Sequence, residues 1–131
     1  MSADRTIDAI VLSDRAPSEV RRLVADLLEA RRAEGIALPP ETAQRVALLA
    51  SELITEAWDH GSEAATVRID LDDGVVSVEV FDGPRRSAIA MTGREEGVPR
   101  LRKTVLSEMA DRWSSDDMGD AHLARCEVRY L

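Results

Sequence analysis

The chain has 131 residues, 44% of them hydrophobic, and a formal net charge of −8, enough for one core in a single domain spanning 1–131. The charge argues against direct contact with nucleic acid or an anionic membrane surface, since both need clustered cations. One cysteine, Cys126, leaves no internal disulfide framework, no run of about 18 apolar residues could cross a bilayer, and the N-terminal residues lack the order of a signal peptide, so a cytoplasmic location is expected.

Residues 6–12 read as a first strand, rich in β-branched side chains. Pro17 suits the first turn of a helix, and Val20, Leu23, Val24, Leu27 and Leu28 give that helix one apolar stripe up to Gly35. After the connector Leu38-Pro39-Pro40, a second helix is predicted from Glu41 to Asp59 and stopped by Gly61. Two strands, 65–71 and 75–81, flank Asp72-Asp73-Gly74, a hairpin signal. Residues 82–97 lack periodicity and read as a long loop, placed to act as a lid over a site shared by the second helix and the third strand. A third helix is expected from Pro99 to Trp113, then a last strand from Arg125 to Leu131. The order predicts an α+β two-layer sandwich, with about three helices covering one face of a mainly antiparallel sheet.

The second helix carries the chemistry. Glu52, Glu56 and Asp59 stand at i, i+4 and i+7, so three carboxylates share one face. Val46, Leu49, Ala50, Leu53, Ile54 and Ala57 form another, apolar face. Such a helix either rims a polar pocket or faces water. Trp58, next to the acidic face, either fills part of a pocket, anchors a partner or packs against the hairpin. His60, His122 and Cys126 lack the close ligand spacing of a zinc set and read as separate residues.

The helix Leu-Ala-Ser-Glu-Leu-Ile-Thr-Glu-Ala-Trp-Asp-His-Gly, the hairpin ending Val-Glu-Val-Phe-Asp-Gly-Pro and the later Ala-Asp-Arg-Trp at 110–113 together resemble the small anti-sigma-factor serine kinases of the GHKL (histidine kinase-like ATPase) superfamily. The resemblance covers nearly the whole chain. It implies that Glu52 orients or activates the attacking hydroxyl and that Asp82, followed by Gly83, accepts the adenine amino group. A carboxylate suits that task because it accepts a bond from an exocyclic amine and refuses a carbonyl.

Three positions depart from the family pattern. Glu56 replaces the asparagine that binds magnesium; a unit charge about 4 Å from a phosphate oxygen, at an effective dielectric of ~20, repels by roughly 4 kcal/mol. A magnesium ion held by Glu56 could offset this. Arg100 and Arg102 fall where the phosphate-binding turn has glycines, either crowding the cradle or, with Arg94, replacing amide donors by guanidinium forks. Asp82-Gly83-Pro84 replaces the fuller first glycine box. The resulting expectation is a partner-switching regulator with a degenerate ATP site, binding a sigma factor or a small antagonist protein, in the family often as a homodimer. The alternatives are an active kinase using Mg-ATP, with Glu52, Glu56, Asp82 and the arginines in their family roles, and a bare dimerising scaffold.

Overall fold

The computed structural model describes residues 6–12, 15–83, 105–117 and 119–131. In chain order these form β1 (Thr6–Leu12), α1 (Pro17–Ala33), α2 (Pro40–Asp59), β2 (Ala65–Asp72), β3 (Val75–Asp82), a third helix described over residues 105–109, β4 (Arg112–Asp117) and β5 (His122–Arg129). The strands make one sheet in the order β1-β2-β3-β5-β4, every neighbouring pair antiparallel. This is an α+β arrangement with the described helices on one face of the sheet.

Alternation fixes which side chains face the helices. Val67, Ile69 and Leu71 of β2, Val76, Val78 and Val80 of β3, and Ala124, Cys126 and Val128 of β5 are all buried. They meet Val46, Leu49, Ala50, Leu53 and Ile54 from the apolar face of α2, Val20, Val24 and Leu28 from α1, and Leu106 from the third helix. The helix-period and strand-period patterns therefore converge on one aliphatic core. Burial of Cys126 pushes its thiol up to about 12, so it sits in the core as a small apolar group.

The helix ends are set by glycine. At α1, the Gly35 N–H donates to the Arg32 carbonyl and the Ile36 N–H to that of Arg31; Gly35 has φ +106. At α2, Gly61 with φ +78 repeats the pattern, its N–H on Trp58 and the Ser62 N–H on Ala57. Both are Schellman caps, which need a left-handed residue just past the helix. The second one delivers Ser62 to the end of the sheet where the candidate site lies.

The hairpin turn narrows to Asp73-Gly74, both at positive φ, as a two-residue connection requires. Arg31 of α1 clamps Asp8 of β1 through two bonds, Nε to Oδ2 at 3.1 Å and NH2 to Oδ1 at 2.8 Å, and so ties the sheet edge to the helical layer. The paired carboxylate raises the guanidinium's affinity for its proton.

Two sequence expectations change here. The helix expected to run to Trp113 ends earlier: Ala110 N–H makes a bond back to Leu106, and Arg112–Asp117 is instead a strand paired with β5. The crossing is secured by the Asp111 N–H on the Glu127 carbonyl at 2.8 Å and the Arg129 N–H on Asp111 Oδ2 at 2.6 Å. The last strand likewise begins at His122 and ends at Arg129, displaced toward the N-terminus from the expected 125–131. Of the loop expected at 82–97 as a lid, Asp82 is the last residue of β3 and Gly83 is described, while 84–97, Arg94 among them, lie outside the described residues, as do Arg100 and Arg102.

Candidate functional site

The described part of the expected nucleotide site lies on α2 and the end of β3. Glu52, Glu56 and Asp59 are half-buried on the non-core side of α2, while Leu49, Leu53, Ile54 and Ala57 behind them are buried. Trp58 is partly buried on the core and its indole N–H donates to the Arg15 carbonyl at 2.6 Å. Its polar handle thus fastens the segment before α1 to the end of α2.

Asp82 is the last residue of β3 and is only 1% exposed. Its side chain lies on the core-facing side, in line with Val76, Val78 and Val80. Both carboxylate oxygens are engaged within the chain. Ser62 Oγ donates to Oδ1 at 2.6 Å, and His122 Nδ1 lies 3.4 Å from Oδ2. His122 is directly opposite Asp82 in the β3–β5 register. The far nitrogen of the ring, Nε2, contacts Ser115 Oγ on β4.

Register explains the cluster. Ser115 is opposite Ala124, so His122 is its diagonal neighbour on β5, within reach of a side chain as long as histidine. Ser62, Asp82, His122 and Ser115 thus form one continuous chain of polar groups crossing three strands at one end of the sheet. Burial falls along it: Asp82, Ser62 and His122 are buried, and Ser115 is exposed. An Asp82 that accepts the Nδ1 proton fixes the tautomer in which Nε2 carries a lone pair and accepts from the Ser115 hydroxyl.

Gly83 has a local structural reason. A Cβ there would lie 3.0 Å from Ala121 Cβ and 3.2 Å from the Asp120 carbonyl oxygen, so the absent side chain lets the turn before β5 approach β3. The Gly83 N–H donates to the Ala64 carbonyl.

The structure brings Asp82 together with three residues that the sequence reading did not group with it: Ser62, Ser115 and His122. From spacing alone His122 reads as a separate residue, outside any zinc set. The available signal was the two-residue period His122, Ala124, Cys126, Val128, which puts the histidine on the core face of β5 once that strand starts three residues earlier. Ser62 and Ser115 carry no comparable sequence signal.

The other face of the sheet bears no described helix. Val11, Thr66, Phe81 and Leu123 form a row across β1, β2, β3 and β5 in register, with Val11 77% and Phe81 47% exposed. Beside it, Arg68, Asp70, Ser77, Glu79 and Arg125 line a charged depression of about 270 Å³. Arg125 reaches Glu79 at 3.5 Å and Ser77 Oγ at 3.3 Å. In comparison with known proteins, no family model matches the chain and no curated protein matches it.

Proposed function

We propose that the chain is a regulatory, partner-binding protein of the anti-sigma, partner-switching kind, built on a histidine kinase-like ATPase fold whose nucleotide site binds ATP weakly or not at all. The observation that carries the reading is the closed state of Asp82. The carboxylate that resemblance assigns to adenine already holds Ser62 on one oxygen and His122 on the other, and it is 1% exposed. To bond it, a base would displace His122, the longer of the two contacts. That exchanges a buried contact for one of similar kind and leaves the imidazole without its partner, at a cost of about 1–3 kcal/mol. Glu56 of α2 adds a negative charge where the resemblance places the magnesium-bound phosphates.

The open sheet face supports the partner-binding half of the reading. An exposed aromatic and an exposed valine in one cross-strand row, beside a patch of alternating arginine and carboxylate, are features of a protein interface, with apolar anchors and a charged rim. A sigma factor or a small antagonist protein is the partner class the resemblance implies.

Calorimetric titration with Mg-ATP tests the first half. No saturable binding tighter than roughly 100 μM is expected, a working threshold near 5.5 kcal/mol; tighter binding with phosphate transfer to a protein serine would reverse the reading. Titration against individual purified sigma factors and antagonist proteins tests the second half. Phe81→Asp should abolish any complex formed through the open face, and a complex indifferent to that change would place the interface elsewhere.

A further inference from the structure

Ser115, His122 and Asp82 meet in the atom order of an acyl-transfer site: hydroxyl to Nε2, then Nδ1 to carboxylate. We infer that Ser115 is an activated nucleophile that takes an acyl group from a carboxylic ester, with His122 as its general base and with Asp82 and Ser62 as positioning residues. This goes beyond the partner-binding reading and does not depend on it.

Four observations carry the inference. The contacts use the two ring nitrogens in the order a relay needs, Nδ1 on the carboxylate and Nε2 on the hydroxyl; a flipped ring would present carbon atoms at both positions. Exposure runs in the useful direction: the His122 side chain is 7% and the Asp82 side chain 1% exposed, while Ser115 is open to a substrate. The carboxylate is itself held by Ser62 Oγ at 2.6 Å, which fixes the group that orients the imidazole. Lastly, β4 lies at one edge among the described strands, and alternate amides along it point away from β5, the direction an oxyanion donor needs. The 3.4 Å His122–Asp82 spacing is longer than a strong hydrogen bond, as is common in such sites before substrate tightens them.

The substrate class follows from charge. Asp116 and Asp117 follow Ser115 along β4, Asp117 is the register partner of His122, and Asp120 stands in the turn that follows. Those carboxylates repel phosphate esters and acidic acyl groups. An uncharged ester fits.

The step balances without a further reactant. The Ser115 oxygen bonds to the ester carbonyl carbon as its proton passes to His122 Nε2. Collapse of the tetrahedral adduct breaks the bond to the leaving oxygen, which receives that proton from His122 and departs as the alcohol. An acyl-serine remains, and water, activated in turn by His122, releases it as the acid.

The test uses the full chain with 4-nitrophenyl acetate and, separately, an uncharged fluorophosphonate probe, read by intact mass and peptide mapping. One adduct per chain on Ser115 is expected with each reagent. Ser115→Ala should lose that adduct, and His122→Gln, which keeps size and hydrogen bonding, should slow labelling at least about 100-fold. A structural role for the network would move thermal stability in these variants without any Ser115 adduct in the unaltered protein. Absence of that adduct overturns the proposal even if His122→Gln fails to fold. So does labelling of His122→Gln at the unaltered rate.

Discussion

Replacing Ser62 by alanine removes one oxygen from a buried polar contact, and the consequence can be worked out. Ser62 Oγ lies 2.6 Å from Asp82 Oδ1, with the residues 5% and 1% exposed. A hydrogen bond to a charged group contributes about 1.5–3 kcal/mol, and an exposed water cannot replace the lost donor at such a buried oxygen. A loss near 2 kcal/mol is therefore expected, which for a chain of this length lowers the thermal midpoint by roughly 6–10 °C. Ser51→Ala is the control. Ser51 is similarly buried, at 7%, but its hydroxyl bonds to the Leu48 carbonyl of its own helix at 2.7 Å. That bond is local, and alanine favours the helix, so the change should stay within about 0.5 kcal/mol of zero. Urea denaturation followed by circular dichroism measures both. Equal losses in the two variants, or a loss under about 0.5 kcal/mol for Ser62→Ala, would refute the view that Asp82 is held by this contact.

Three further outcomes follow from other contacts. The Arg31–Asp8 clamp is part-buried and two-pronged, so a double-mutant cycle with Arg31→Ala and Asp8→Ala should give a coupling of about 1–2 kcal/mol, above that of an exposed pair; a coupling near zero would mean the clamp does not hold β1. Gly74→Ala combines a strained φ of +79 with a Cβ only 2.6 Å from Leu131 Cβ, and should cost about 1–2 kcal/mol in denaturation, partly recovered on truncating Leu131 to glycine. Burial lifts the Cys126 thiol from 9.0 to about 12, so the folded state withholds ionisation that the unfolded chain allows. The resulting stability is complete below pH 9 and lost as pH rises toward 12; Cys126→Ala should flatten that part of the alkaline stability curve, and an unchanged curve would contradict the burial.

Much of the fold was legible because period and composition agreed. In α2, the apolar positions 46, 49, 50, 53, 54 and 57 follow the helix period and all are buried. In β2, strict alternation gives buried 67, 69 and 71 against more exposed 66, 68 and 70. β4 was not legible for the same physical reason. Its sequence, Arg-Trp-Ser-Ser-Asp-Asp, has one residue that favours strands and several that disfavour them. It becomes a strand through pairing with β5, a contact of tertiary origin that a local pattern cannot carry. Continuing the helical spacing of Leu101, Val105, Leu106 and Met109 to Trp113 was the natural local reading, and Trp113 is partly buried on the core from a strand.

Where β5 begins, and what pairs with it, changes what the site means. With β5 starting at 125, Asp82 would hold Ser62 but not His122, and Glu52 with Glu56 would complete a nucleotide site by analogy. Starting at His122, β5 gives the carboxylate a second internal partner, and pairing with β4 brings Ser115 to the far side of the same ring. Accepting an adenine amine contributes about 1.5–3 kcal/mol, as for other donors on a charged group, but losing the Ser62 or His122 contact costs about the same and strands the displaced group. The balance therefore favours Asp82 as the inner end of a polar relay over Asp82 as a reader of bases, and the relay's outer end, Ser115, is where reactivity would be found.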